Sequence, residues 1–325
     1  MDWKPKVLVV EISGKRPGNE NARPTEKMQI DFDHLIISNN SEGYITQWDI
    51  VNVPSDYVEW YKASVKTSES AWYAPMNRSY AIKYAKDHGY DYLFQLDDNI
   101  TGLELSYEIQ EGEVLKKYRH SGIEMVNDFI SFMVCVMRET NAAMVGMRLQ
   151  GSARPKKDFI GERYCYSFFA LNVHNCPALF HGDFEDDIEY RLKCKEMALP
   201  TLQIYPMAYS KTGQRSNKDE TGNRAAYTAA GLKRGEHMLK LHGDVYSCGF
   251  AGKTMSMSLR GDVGEKCFKH KIKPFKVGTL IKNNGIISAE FNAMLKKYAE
   301  RHEDRCFVKE IKTKGRKSNH AKESR

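Results

Sequence analysis

The feature that most constrains the fold is the alternation of short apolar runs with amphipathic helical patterns. The apolar runs predict strands at Lys6–Ile12, His34–Ser38, Tyr44–Val53, Tyr90–Leu96, Arg163–Val173 and Thr201–Tyr205. The helical spacing of apolar residues predicts helices at Met76–His88, Ser121–Thr140, Glu185–Met197, Arg224–Leu241 and Ser288–Arg301. Strands that alternate with helices in this way predict an α/β fold with a mostly parallel sheet flanked by helices.

The composition is that of a globular chain that can bury a sizeable core. Of the 325 residues, 41% are hydrophobic and 28% are charged, which argues against intrinsic disorder. The sequence contains no apolar run near the roughly 20 residues that a membrane-spanning helix needs, and it begins without a signal-peptide pattern. The seven cysteines are odd in number and form no CxxC pair, so we expect reduced thiols in a cytoplasmic protein, in the host cytoplasm if a phage encodes it.

Two carboxylates and an amide directly follow the predicted strand Tyr90–Leu96. In parallel sheets, ligands bind beyond the carboxyl ends of the strands, so Asp97, Asp98 and Asn99 stand at a position that favours function. Their oxygen atoms can hold a hard divalent cation, which can bridge the two phosphates of a nucleotide. The alternative is that these residues form a simple turn or cap a helix.

A dense acidic cluster marks the start of the predicted helix Glu185–Met197. Five acidic residues fall within the seven positions from Asp183 to Glu189. A favourable interaction with the helix dipole explains one or two of them, but not this density. Because crowded carboxylates raise one another's pKa, the cluster suits a general base that deprotonates an acceptor hydroxyl.

Two further sets of side chains are candidates for ligand binding. Asn77 and Arg78 lie in the helix before Tyr90–Leu96, and an arginine there can bind a phosphate or stack on a base. A surface charge near a helix start is the alternative. His237 and His242 are five residues apart, a spacing that does not place them on one helical face. One of them can complete the ligand shell of a metal. The alternative is that both are ordinary surface or core histidines.

Most of the net charge lies at the end of the chain. Residues 309–325 include seven basic and two acidic residues, so this segment holds +5 of the formal net charge of +7. It has almost no apolar residue, and we expect it to be a basic, disordered tail. Such a tail either aids solubility or binds a polyanion such as nucleic acid.

Two segments, one around Asp97 and one around Asp186, carry a family resemblance. NRSYAIKYAKDHGYDYLFQLDDNI and HGDFEDDIEYRLKC resemble the TET/JBP-associated glycosyltransferases, which are phage and protist enzymes of the GT-A type related to the base J glucosyltransferase. The resemblance spans about residues 77–205. It implies a GT-A-like, Rossmann-type glycosyltransferase domain, which we expect over residues 1–245. The sequence pattern after it predicts a C-terminal helical extension over 246–308, followed by the basic tail over 309–325.

The resemblance also implies a reaction and a role for each candidate residue. Enzymes of this family put sugars on hydroxymethylated pyrimidines in DNA, so we expect a nucleotide-sugar donor, a UDP-sugar above all, a DNA acceptor, and Mn²⁺ or Mg²⁺. Asn99 departs from the usual acid at the end of the DxD pattern, which weakens the predicted metal site. The expected residues are Asp186, Glu185 and Asp187 for catalysis, Asn77, Arg78 and Asp97 for the nucleotide, and Asp97, Asp98 and Asn99 for the metal. Independently of the resemblance, we expect His242 as a further metal ligand.

Three alternatives remain open at the level of the sequence. The same acids are compatible with a two-metal nuclease or phosphotransferase. A degenerate GT-A module that binds DNA or another protein without catalysis is a second possibility. A glycosyltransferase that acts on a saccharide or a lipid-linked sugar is the third, and the basic tail argues mildly against a neutral glycan.

Overall fold

The computed structural model describes residues 4–65, 73–111, 114–152, 159–162, 165–181, 186–212, 246–250, 265–270, 284–299 and 307–310. Its strands are β1 (Val7–Ser13), β2 (Asp33–Ser38), β3 (Asp49–Asn52), β4 (Tyr92–Asp97), β5 (Ile100–Glu111), β6 (Val114–Ser121), β7 (Met144–Leu149), β8 (Ile160–Gly161), β9 (Phe168–Asn172), β10 (Thr201–Lys211), β11 (Tyr246–Phe250), β12 (Glu265–His270) and β13 (Phe307–Glu310). Its α-helices are α1 (Ser55–Ser64), α2 (Tyr73–Asp87), α3 (Val126–Thr140), α4 (Asp186–Glu196) and α5 (Asn284–Ala299). Short 3₁₀ turns span Pro24–Lys27 and Ile123–Met125.

One large sheet organises the described part of the chain. The strand order is β13-β6-β5-β10-β7-β9-β4-β1-β2-β3, and β8 adds to β10. The pairing directions make seven of these eleven strands run the same way, while β5, β8, β9 and β13 run opposite. Strands β3, β2, β1 and β4 form a continuous parallel half. The predicted α/β fold is therefore confirmed, and β11 and β12 pair in a small separate sheet.

The parallel half forms because its strands are apolar on both faces. All seven residues of β1 are buried, as expected for a central strand covered by helices on each side. One face packs against α1, α2 and α4, and the other face of the sheet packs against α3 and α5. Helix α2 ends just before Gly89, whose φ of +68° favours glycine at a helix terminus.

Ser121 and Glu124 have the spacing of a capping box, which predicts that the helix starts at Ser121, and the structure shows that this prediction is wrong. Ser121 is the last residue of β6 and pairs with Glu104 of β5, so its side chain cannot cap a helix. The Glu124 carboxylate lies 2.8 Å from Nε2 of His120 instead, and the α-helix begins at Val126. The pairing of β6 with β5 therefore prevails over the local sequence pattern at Ser121.

Of the described C-terminal elements, helix α5 and strand β13 pack onto the main sheet. Helix α5 buries Ile287, Phe291 and Leu295 in the same core as α3, and Lys297 binds Asp128 of α3 at 2.7 Å. Strand β13 pairs with β6 and includes the first two residues of the predicted tail. The remainder of that tail and the predicted helix Arg224–Leu241 lie outside the described residues. Among the described helices, none combines the length and the apolar character needed to span a membrane.

Candidate functional site

The site lies where the parallel strands end. Strands β1, β2 and β4 are neighbours and run in the same direction, so their carboxyl ends, at Ser13, Ser38 and Asp97, meet at one edge of the sheet. The end of β10 also reaches this edge, because the backbone N–H of Thr212 donates to the carbonyl of Asn99 at 3.0 Å. This edge is the usual place for a ligand in an open α/β sheet.

Arg78 connects the two acidic segments that the sequence singled out. Its Nη2 donates to Oδ1 of Asp97 at 2.6 Å, and its Nε donates to Oδ2 of Asp186 at 3.1 Å. The guanidinium is buried and packs over the ring of Phe169, with its central carbon 5.2 Å from the ring centroid. Two carboxylates that are 89 positions apart in the sequence therefore share one cation.

Asp97 is held by two basic side chains. Besides Arg78, the Nζ of Lys211 lies 2.8 Å from Oδ2 of Asp97. Burial raises the pKa of Asp97, but the Lys211 ammonium and the Arg78 guanidinium outweigh burial and lower this pKa well below its ordinary value. Asp97 is therefore ionised at neutral pH, and each of its carboxylate oxygens accepts a charge-assisted hydrogen bond.

Asp98 points to the other side of the turn, toward the end of β1. Its Oδ2 accepts a hydrogen bond from the Ser13 hydroxyl at 2.8 Å and lies 2.9 Å from Nε of Arg16. Burial raises the pKa of Asp98 to about 6, although Arg16 and Ser13 both favour the ionised form. The nearby charge of Asp97 adds to the increase. Asp98 is therefore a buried acid that titrates close to neutrality.

We expect Asp98→Asn to stabilise the protein at neutral pH. The folded-state pKa of about 6 exceeds the ordinary value of 3.8, so the ionised wild-type protein loses stability as the pH rises through this interval. A pKa difference of this size corresponds to about 3 kcal/mol. Above pH 7, the free energy of unfolding of the variant should exceed that of wild type by this amount. Urea denaturation between pH 4 and pH 8 measures this difference. If the difference in unfolding free energy between variant and wild type did not change with pH, the raised pKa of Asp98 would be contradicted.

Asp186 opens helix α4 and has a perturbed pKa. Burial raises the pKa of Asp186; Arg78 opposes this effect, whereas the charge of Asp97 adds to it. The side chain remains 17% exposed, so a substrate can reach it. Asp187 is the next residue of the helix, and Glu185 lies outside the described residues.

Asn77 lies behind the strand ends. Its Nδ2 donates to the carbonyl of Ser13 at 2.9 Å and to Oδ1 of Asn39 at 3.3 Å, which joins the ends of β1 and β2. Gly14 needs to be small here, because an added Cβ would lie 2.9 Å from Oδ1 of Asn39. The Oδ1 of Asn77 is buried and lacks a hydrogen-bond partner among the described residues. Asn77 thus holds the loop after β1 against the end of β2.

The predicted metal shell does not fit the side chains at this edge. Both oxygens of Asp97 accept hydrogen bonds from cationic groups, and Asp98 is paired with Arg16. Asn99 offers a buried Oδ1 without a partner in the described part of the chain, but a single neutral oxygen is a weak ligand for a hard cation. Within the described ranges, no group of three or more His, Cys, Asp or Glu residues could hold a metal, and His242 lies outside them, as does His237.

Three site residues were not predicted from the sequence. Ser13 and Arg16 follow the apolar run of β1, and the rule that ligands bind beyond strand ends is the signal that could have found them. Lys211 lies at the end of β10, which extends six residues beyond its predicted terminus at Tyr205. Its partner Asp97 is 114 positions away, and no sequence pattern links the two.

Comparison with known proteins identifies the family. No curated protein sequence matches the chain. Among solved structures, A197 from STIV is 12% identical over 64% of this chain and 86% of its own, with a TM-score of 0.35. A protein from Desulfovibrio desulfuricans G20 assigned as a nucleotide-diphospho-sugar transferase is 10% identical over 70% and 96%, with a TM-score of 0.33. S. aureus TarS 1–349 is 12% identical over 64% and 60%, with a TM-score of 0.31.

These structural likenesses are too weak to carry an argument about function. The family model TET-Associated Glycosyltransferase, in contrast, matches residues 27–221, which is more than half of the chain. The match includes β4, Arg78, the acidic start of α4 and Lys211. The chain belongs to the TET-Associated Glycosyltransferase family.

Proposed function

We infer that this glycosyltransferase moves a sugar from a nucleotide-sugar donor to the hydroxyl of a hydroxymethylated pyrimidine in DNA. The observation that carries this proposal is the joining of Asp97 and Asp186 by Arg78 at the carboxyl edge of the sheet. One acid lies at a strand end, where a nucleotide binds in folds of this kind, and the other opens a helix beside it. A donor and an acceptor can therefore meet within one small region.

Asp186 is the proposed general base. A base is most efficient when its pKa lies near the working pH, and burial shifts the pKa of Asp186 in that direction. In the proposed step, the acceptor hydroxyl forms a bond to the anomeric carbon and gives its proton to Asp186. The bond from that carbon to the donor phosphate breaks, and the nucleoside diphosphate leaves with the bonding electrons. Asp187 and Glu185 are neighbours whose roles stay predictions.

The donor side of the proposal uses the strand ends and the loop after β1. A UDP-sugar remains the predicted donor, and Arg78 and Asn77 order the strand ends that it would meet by their contacts to Asp97, Ser13 and Asn39. Because the side chains at Asp97, Asp98 and Asn99 do not fit the predicted Mn²⁺ or Mg²⁺, we assign no step to a metal.

The DNA acceptor is supported by the family resemblance and by the basic segment after β13. A base stacked within a duplex is not accessible to an active-site acid, so the target base has to be extruded or lie in an opened strand. Phosphate contacts from the basic tail would hold the DNA without reading its sequence. We continue to predict that the protein is located in the cytoplasm, or in the host cytoplasm if a phage encodes it.

Truncation after Glu310 should weaken DNA binding most strongly at low salt. This variant keeps β13 and removes six basic residues and one acidic residue. At about 0.9 per phosphate contact, the slope of log affinity against log salt should flatten by about 3 to 5. The loss should be equal for modified and unmodified DNA, because phosphate contacts carry no base information. Binding titrations at several salt concentrations give the slope, and an unchanged slope would contradict a DNA-binding tail.

The proposal is tested by mass spectrometry of hydroxymethylated DNA after incubation with a panel of nucleotide sugars. A mass increase equal to one sugar residue identifies the donor and supports the acceptor class. Transfer to a saccharide or lipid-linked acceptor in the same panel, with none to DNA, would favour the alternative acceptor. Strand breaks in place of a mass increase would favour a nuclease, and the absence of both activities would favour a binding module.

A further inference from the structure

We propose that Lys211, with Arg16, supplies the positive charge that stabilises the diphosphate leaving group, so that transfer proceeds without a divalent metal. This inference rests on the proposed function, because it concerns the donor half of the same site. It replaces the metal that the DxD-like pattern predicts with two side chains of the chain itself.

The backbone aims Lys211 at the turn that follows β4. Strand β10 pairs with β5 in antiparallel register up to Ser210, and the register then shifts at Lys211. The extra residue is Thr101 of β5, which falls between the paired residues Gly102 and Ile100, so the irregularity lies in the strand that follows the Asp97 turn. Such bulges recur beside active sites. The N–H of Thr212 donates to the carbonyl of Asn99, which ties the end of β10 to this turn. Lys211 is therefore placed by the backbone and not by its ion pair alone.

Two of the three cations at the site are accessible to a ligand. The side chain of Arg78 is 7% exposed and is committed to Asp97 and Asp186. In contrast, Lys211 is 21% exposed and Arg16 is 27% exposed. They bind Asp97 and Asp98 respectively, and so flank the turn on both sides. A diphosphate at this turn would meet a positive group from each side.

The ion pairs of the cluster argue against a site for a divalent metal ion. The carboxylates of Asp97, Asp98 and Asp186 are matched by three cations, Arg16, Arg78 and Lys211. A site for a hard divalent cation needs carboxylates with unoccupied oxygens and an excess of negative charge. Here the positive charge is already present and is built into the fold.

Lys211 has the donors that this role requires. An ammonium group carries three N–H donors, and one of them serves Asp97. The other two can bind phosphate oxygens while the ion pair with Asp97 holds the group in place. As the bond from the anomeric carbon to the phosphate breaks, negative charge grows on the diphosphate, and preorganised lysine or arginine side chains stabilise such charge as a metal ion does.

The test compares Lys211→Met, Lys211→Arg and wild type in EDTA and in Mn²⁺. We expect wild type to turn over and to bind a nucleoside diphosphate in EDTA. Lys211→Met should lower kcat about 10²- to 10³-fold, as the loss of one preorganised donor does, and weaken diphosphate binding in the same buffer. Lys211→Arg, which keeps the charge, should retain more of both. The exposed Lys83, paired with Asp87 on α2, provides the matched control, Lys83→Ala, with unchanged activity.

Several results would overturn the inference. If wild type turned over and bound the diphosphate only in Mn²⁺, a metal would supply the charge and the inference would be wrong. The proposed transfer reaction would still be supported by that result. A full rate for Lys211→Met in EDTA, with an unchanged melting temperature, would remove Lys211 from the reaction. The probes for binding are the diphosphates of uridine, guanosine, adenosine, cytidine and thymidine. If none binds with or without Mn²⁺, the proposed function itself fails, and the role of Lys211 fails with it.

Discussion

Replacement of Asp186 by asparagine is expected to lower kcat about 10²- to 10⁴-fold, the usual contribution of a general base. Asparagine has nearly the same shape and can still accept a hydrogen bond from Nε of Arg78, but it cannot take a proton. Donor affinity should change little, because the acceptor proton is not involved in donor binding. Steady-state kinetics and donor titrations measure both quantities, and Asp87→Asn on the exposed face of α2 is the control.

The pH profile separates a base from a structural acid. In wild type, kcat/KM should fall as the pH decreases through the raised pKa of Asp186, because the protonated acid cannot accept the hydroxyl proton. This acidic limb should disappear in Asp186→Asn. A collapse of donor affinity in the variant, with the acidic limb retained, would place Asp186 in the donor site and contradict its role as base.

Removal of the Arg78 guanidinium is expected to have the largest effect on the fold. Arg78→Met leaves the partly buried carboxylates of Asp97 and Asp186 without the buried guanidinium that they share. Loss of one partner from a buried ion pair typically costs about 3 to 5 kcal/mol, so we expect destabilisation of that size together with loss of turnover. Lys211 still binds Asp97, whereas Asp186 has no replacement cation in the described contacts of its carboxylate. Chemical denaturation at neutral pH measures the loss.

The pH dependence of this loss has a definite sign. The pKa of Asp97 is lowered in the folded state, so its pairing stabilises the protein above its unfolded-state pKa and ceases to do so as the pH falls through the folded value. The cost of Arg78→Met should therefore shrink at acidic pH. The exposed Arg138, paired with Glu139, is the control, and Arg138→Met should cost less than about 1 kcal/mol. An Arg78→Met protein as stable as this control would contradict the buried bridge.

The strands of the parallel half were predictable because burial on both faces makes them continuous apolar runs. β1, β2 and β4 were predicted to within two residues of their observed bounds. The long hairpin of β5 and β6 was missed, although Leu103, Leu105, Tyr107 and Ile109 alternate at the spacing of a half-buried strand. That hairpin also removes Ser121 from the helix, so one missed element produced a second error.

The acids of the site were predictable, but their partners were not. Asp97 follows an apolar strand and Asp186 opens a helix, and both positions are visible in local sequence patterns. The cations that complete the cluster come from other elements, and Arg16 meets Asp98 only because β1 and β4 are neighbours in the sheet. Ion pairs between distant segments depend on topology, which local patterns do not encode. For the same reason, the DxD-like pattern predicted a metal where the fold places lysine and arginine.

The most direct measurement is the mass of two matched oligonucleotides after incubation with the protein and its donor. The two should differ in a single pyrimidine, hydroxymethylated in one and unmodified in the other, and each should be treated with wild type and with Asp186→Asn. We expect a mass increase of one sugar for wild type on the hydroxymethylated strand, and little or none in the other three reactions. Equal modification of both strands, or equal activity of the two proteins, would contradict sugar transfer by Asp186 to a hydroxymethyl group.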